Sequence, residues 1–213
     1  MDKEKKFWKI QNKSEKIDEL SIYGDIASYS WWGDETTPKE FQSELDKLGD
    51  ISTLYVYVNS PGGDVFAAQT IYSMLERHKA KKTVYVDGLV ASAAVRIVMA
   101  GDTIKISNGA MFMIHNPWSV AWGEAKDFRK MADTLDKIRE SIIDGYMERT
   151  ALTKEELEKM MDEETWMTAK EAVEFGFADE VVGQEKQADE DLKNKIQNLY
   201  RLKLENITRR MYK

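Results

Sequence analysis

Two polar residues and a pair of glycines stand at strand ends, where an acyl-transfer site would need them. Ser92 lies in V-Y-V-D-G-L-V-A-S-A-A-V-R-I-V-M-A-G (84–101), which reads as a strand, a turn at Asp87 and Gly88, and an Ala-rich helix ending at Gly101. A serine where a turn hands over to a helix can be held at the positive helix N-terminus as a nucleophile. The same pattern also describes an ordinary helix cap or packing residue. His115 ends the apolar run A-M-F-M-I-H and precedes Asn116 and Pro117, which puts it at a sheet rim. The other histidine, His78, sits in the basic helix end L-E-R-H-K-A-K-K and is explained by the helix dipole. His115 is therefore the candidate general base. The third feature is the pair Gly62 and Gly63 in N-S-P-G-G-D-V, between a strand and a helix. Such a pair fits a tight turn, a phosphate loop or an oxyanion hole of backbone N–H groups. The phosphate reading lacks the Gly-Lys-Ser/Thr ending of a P-loop and the third glycine of a dinucleotide fingerprint.

The elements that must position these residues alternate between strand and helix, the α/β pattern. Strands are expected over 20–26, 54–58, 83–86, 103–107, 110–115 and 177–182. A helix follows Thr37, where T-P-K-E is a capping box with proline at the first helical position. Another runs over about 64–77 on the stripe Val65, Ala68, Tyr72 and Leu75. Phe128, Met131, Leu135, Ile138, Ile142 and Tyr146 recur every three or four residues, so 127–148 is one long amphipathic helix that packs on another helix. Thr153 and Thr168 cap two shorter helices around an acidic linker, M-D-E-E-T-W-M-T. Residues 1–18 read as a charged arm, 19–183 as the folded domain, and 184–213 as a charged tail with one helical stripe. Trp31 and Trp32 in the loop S-Y-S-W-W-G-D-E mark a contact, in the core or with a second subunit.

Composition narrows the chemistry. The 213 residues suit one domain, and 42% hydrophobic content supports a core. A net charge of −7 argues against non-specific nucleic-acid binding. No cysteine is present, which excludes disulfides, thiolate zinc sites and cysteine nucleophiles. Two histidines leave little for a metal site. No apolar run is long enough for a membrane span and the N-terminus lacks a signal-peptide core, so a protein of a reducing, cytoplasmic compartment is expected.

Y-V-N-S-P-G-G-D-V, V-A-S-A-A, M-I-H-N-P and E-T-W-M-T-A-K-E-A-V-E-F-G-F-A-D, in that order, resemble the ClpP family of serine peptidases over about 20–183. S-W-W-G-D-E and T-W-M-T-A-K-E-A look like its phage-type branch, the ClpP-like head-maturation (prohead) proteases. The resemblance implies a crotonase-like spiral of strand–strand–helix repeats, with 127–148 as the handle helix through which rings of subunits stack around a chamber. It implies a serine endopeptidase acting on protein or peptide substrates, with Ser92 as nucleophile, His115 as base and no metal or cofactor. The family's acid position falls on Glu164 where aspartate is usual, with Asp162 and Glu163 beside it. Gly63 and the Ala93 N–H match the oxyanion-hole donors. The implied setting is bacterial or phage-infected cytoplasm, or the prohead interior, with an unfoldase ATPase or a capsid scaffold as partner. Capsid maturation is the favoured role and a housekeeping proteolytic subunit the alternative. A crotonase-like acyl-CoA enzyme and an inactive ring subunit are weaker ones. Two departures stand out. Ala93 replaces a larger residue after the nucleophile, and Arg96 interrupts an apolar helix, so a carboxylate from another subunit is expected to pair with it.

Overall fold

The computed structural model describes residues 8–14, 17–28 and 38–183. The expected tail helix, the Trp31 and Trp32 loop and the Thr37 cap lie outside those residues. The strands are β1 (Trp8–Ser14), β2 (Ile17–Tyr23), β3 (Thr53–Ser60), β4 (Lys81–Ala91), β5 (Thr103–Ser107), β6 (Met111–Ile114), β7 (Thr165–Thr168) and β8 (Glu180–Val182). The helices are α1 (Pro38–Leu45), α2 (Val65–Arg77), α3 (Ala93–Val98), α4 (Ala125–Met147), α5 (Lys154–Asp162) and α6 (Ala169–Glu174). The sheet runs β1-β2-β3-β4-β5-β8, and β6 branches from β4 to carry β7. Pairings from β2 to β8 along this path are parallel, as is β4 with β6, while β1–β2 and β6–β7 are antiparallel. This is an α/β architecture, as the alternation of strand and helix patterns implies.

Period-two alternation sets the two faces of the sheet. In β3, Leu54, Val56 and Val58 are fully buried, while Tyr55 and Tyr57 lie on the other, half-exposed face. There Tyr57 stacks on Tyr85 of β4 with ring centroids 5.2 Å apart. The core continues through Ile104, Ile106, Phe112 and Ile114 to Phe177, whose ring packs edge-on to Tyr146 of α4.

Four expectations are corrected. The segment expected to trail as a charged arm supplies β1, whose pairing covers an otherwise open edge of β2. Asp87 and Gly88 do not form a turn, because β4 runs through them to Ala91. At this point β4 exchanges one neighbour: Val86 pairs with Ile106 of β5, whereas Leu89 pairs with Met111 of β6. The Asn59 side chain fills the break in register, its Oδ1 accepting from Leu89 N–H at 2.9 Å, and a Cβ on Gly88 would meet that oxygen at 2.7 Å. The acidic linker holds β7, too short for alternation to reveal. The last strand is confined to 180–182 because Phe177 and Ala178 turn into the core.

Phe177 links the end of the domain to α4 and β6. Phe177→Ala should therefore cost about 3–5 kcal/mol, the range for emptying a buried aromatic site, read from the denaturant midpoint of the purified protein.

Candidate active site

Three strand ends converge. Ala91 of β4 sits opposite Met113 of β6, so Ser92, one residue beyond β4, donates its backbone N–H to Met113 O at 2.9 Å. Ile114 of β6 sits opposite Thr165 of β7, so His115, just past β6, faces Glu164, just before β7. His115 Nε2 lies 2.8 Å from Ser92 Oγ. On the ring's other side Nδ1 is 3.9 Å from Glu164 Oε2, an ion-pair distance and longer than a hydrogen bond. Trp166 Nε1 donates to the other Glu164 oxygen at 3.3 Å.

The backbone is strained at both ends of this constellation. Among the described residues only Ser92 (φ 54°) and Glu164 (φ 49°) have positive φ without being glycine. Each such residue costs on the order of 1–3 kcal/mol and persists where its surroundings over-determine it. The Ser92 geometry aims its hydroxyl at His115 instead of capping α3, for which it makes no side-chain hydrogen bond. The plain-cap reading of Ser92 therefore does not apply.

The glycine pair forms the opposite wall. Ile26 donates its N–H to Gly62 O at 2.9 Å and accepts from Asp64 N–H at 2.8 Å. In a parallel bridge of this kind the intervening residue, Gly63, turns its own N–H and C=O the other way. A Cβ on Gly63 would fall 2.0 Å from Ile26 O, and one on Gly62 2.8 Å from Ser92 Cβ. The two glycines thus let the chain pass between Ile26 and Ser92. Ser60 shapes the approach, its Oγ donating to Gly24 O at 2.6 Å and accepting from Gly62 N–H at 3.1 Å. Asp64 then caps α2 by accepting from Ala67 N–H at 2.7 Å. Ala93 begins α3, where backbone N–H groups have no intrahelical acceptor. The Gly63 and Ala93 amides find no acceptor among the described residues.

Two hollows meet at Ser92 and His115. One is a groove of about 540 Å³ between the 61–65 loop and the segment carrying Pro117, Trp118 and Val120. The other is a narrower, largely apolar cavity of about 90 Å³ running down between α2, α3 and α4. Arg96 lines it with its side chain 14% exposed. The carboxylate expected from another subunit is supplied within the chain, because Arg96 Nη1 lies 3.3 Å from Glu148 Oε2 beyond the end of α4. Arg96 also donates to Gln69 Oε1 at 2.8 Å and to Gly145 O at 3.2 Å, and its guanidinium lies 3.6 Å from the Tyr72 ring centre. Burial, with a hydrogen bond to Glu76, pushes the Tyr72 phenol up to about 12 although Arg96 opposes the shift. Burial likewise raises the Tyr146 phenol.

Of the residues singled out in the sequence, Ser92, His115, Glu164, Gly63 and Ala93 are brought together. Asp162 and Glu163 are engaged elsewhere. Asp162 accepts from Asn116 at 2.8 Å and pairs with Arg139 at 2.9 Å, and Glu163 lies 4.0 Å from Lys159. Ser60 and Trp166 also border the site, and only the serine carries a signal in the sequence, its place beside the glycine pair. No three His, Asp or Glu side chains cluster as a metal would require among the described residues. Chemically, the arrangement can take a proton from Ser92 Oγ and can donate two backbone N–H groups to a developing oxyanion.

Comparison with known proteins gives one family. Residues 40–185 match the Clp protease family model. The ATP-dependent Clp protease proteolytic subunit 2 of Treponema denticola is 31% identical over 148 residues, which is 68% of this chain and 74% of that protein. The protein of the same name from Thermobifida fusca is 33% identical over 142 residues, 66% of this chain and 68% of that protein. Among solved structures, a ClpP1 point mutant from Listeria monocytogenes superposes with a TM-score of 0.67 at 25% identity, covering 78% of this chain and 91% of that one.

Gly63→Ala must either move Ile26 or abandon φ 143°. It should lower stability by about 1–3 kcal/mol, read as a reduced unfolding midpoint.

Proposed function

The chain belongs to the Clp protease family of serine-type peptidases, and from that premise we propose that Ser92, His115 and Glu164 form the triad of a chambered endopeptidase. The observation that carries this reading is the 2.8 Å contact between His115 Nε2 and Ser92 Oγ. His115, protonated on Nδ1, takes the Ser92 proton as Oγ attacks the peptide carbonyl. The Gly63 and Ala93 N–H groups hold the oxyanion, a contribution worth about 10²–10³-fold in rate for one such donor. His115 then protonates the leaving amine, and water hydrolyses the acyl-enzyme with His115 again as base. Glu164 orients the imidazole and balances its charge, and closing the 3.9 Å gap to Nδ1 belongs to the loaded state. The peptide lies in the groove as a strand beside Gly62 and Gly63, bound by main-chain hydrogen bonds.

Assembly into stacked rings rests on α4. Its first three turns contain no buried residue, Phe128 is 51% exposed, and Met131, Leu135 and Ile138 continue one half-buried stripe. That apolar row is the contact surface of a handle helix in this reading.

Two settings are open to such a peptidase. The relatives named above are ATP-dependent proteolytic subunits, which favours protein turnover fed by an unfoldase. S-W-W-G-D-E and T-W-M-T-A-K-E-A favour prohead maturation acting on scaffold and capsid precursor. Digestion of a folded substrate only with an unfoldase and ATP supports the first. Nucleotide-free cleavage of a capsid precursor encoded beside this chain supports the second.

A fluorophosphonate probe should label the protein, and Ser92→Ala should abolish both labelling and peptide turnover. Wild-type protein that takes no label at any pH would sink the triad. Glu164→Ala should slow peptide turnover and fluorophosphonate labelling together by up to ~10⁴-fold, the loss seen when a triad acid is neutralised. Leu135→Glu should shift the assembly to smaller species in light scattering; an unchanged mass would remove the handle role.

A further inference from the structure

Among the described residues Arg96 is the one charged group lining the cavity that descends from Ser92, and the proposed peptidase mechanism does not use it. Its place is built. Gly145 lies within the 23-residue helix α4, where glycine is otherwise unfavourable, and a Cβ there would fall 2.5 Å from Arg96 Nη1. On another side the guanidinium lies over the Tyr72 ring. The donors can be accounted for one by one. Nε–H goes to Gln69, and the two Nη1 hydrogens serve Gly145 O and Glu148. Nη2, with two further N–H donors, has no acceptor among the described residues. The ion pair is one-sided, since Glu148 meets Nη1 alone and its side chain is 62% exposed.

The cavity's position tells which part of a substrate would reach this group. Its mouth is Ser92 and His115, so the side chain that enters belongs to the residue whose carbonyl is attacked. Val65, Phe66, Ile138 and Ile142 line the way, and Arg96 is one helical turn below Ala93 on the same face of α3. The small Ala93 leaves the mouth open. At about 90 Å³ the cavity is narrower than the ~150 Å³ hollow that accepts benzene, which favours an unbranched side chain over a large aromatic one.

We propose that Arg96 makes this cavity a specificity pocket for an unbranched side chain tipped with an acceptor oxygen, so that cleavage follows glutamate or glutamine. The apolar walls take the methylenes, and the guanidinium, with Gln69 beside it, meets the terminal carboxylate or amide oxygen. Lysine or arginine at the same substrate position would bring a like charge against Arg96 and is disfavoured. This assignment rests on the peptidase reading of Ser92.

Peptidyl diphenyl phosphonates that differ only in the side chain next to phosphorus test it on the full-length protein. Ser92 Oγ displaces phenoxide from phosphorus, His115 takes the hydroxyl proton, and the adduct is read by intact mass. Glutamate and glutamine reagents should react about tenfold or more faster than leucine, and the lysine reagent slowest. In Arg96→Met the advantage over leucine should vanish. If that variant does not fold, the wild-type ranking decides alone: leucine equal to or faster than both acceptor side chains overturns the proposal. So does a protein that takes a small fluorophosphonate at Ser92 yet reacts with none of the peptidyl reagents. Absence of any Ser92 adduct, small probe included, instead rejects the peptidase reading itself.

Discussion

The site depends on the branch in the sheet at which β4 leaves β5 and pairs with β6. Only three residue pairs make that parallel contact, yet it sets the separation of Ser92 from His115, and the antiparallel β6–β7 pairing sets that of His115 from Glu164. A shift of one residue in either ladder would turn the side chains to the opposite face of the sheet. Backbone hydrogen bonds, more than local loop structure, therefore define how these three side chains meet. The break at Asp87 and Gly88, sealed by the Asn59 amide, allows one strand to serve two sets of neighbours without leaving Leu89 N–H unpaired.

The glycine loop works by the complementary principle. Where β4, β6 and β7 supply side chains, 62–63 supplies bare backbone, and steric exclusion by Ile26 O and Ser92 Cβ keeps it bare. A side chain at either place would force apart the two walls of the groove. Packing and chemistry thus make the same demand on these positions, which is why the pair is visible as a motif.

Much of the architecture is written in local patterns. The alternation in 54–58 and the stripe from Phe128 to Tyr146 give β3 and α4 to within a few residues, and Thr153 and Thr168 both make the capping boxes their spacing implies. Ser92, His115 and Gly63 stand out because strand ends and glycine pairs leave clear marks. What escapes the sequence is non-local. A Gly within β4 looks like a turn when its cause is a side chain 29 residues earlier, and β7 is too short for alternation to reveal. The positive φ at Ser92 and Glu164 has no residue-type signal, since neither is glycine. The partner of Arg96 lies 52 residues away on an element whose angle to α3 no periodicity encodes.

Gly145 lets two helices share one cation by leaving a side chain out. A Cβ at 145 would fall 2.5 Å from Arg96 Nη1, where the guanidinium now donates to the bare Gly145 carbonyl at 3.2 Å. Because that atom ends a flexible side chain, the guanidinium would swing aside before helix α4 moved. A change at 145 is thus felt away from the helix that carries it, in the contacts Arg96 makes with Gln69 and Tyr72.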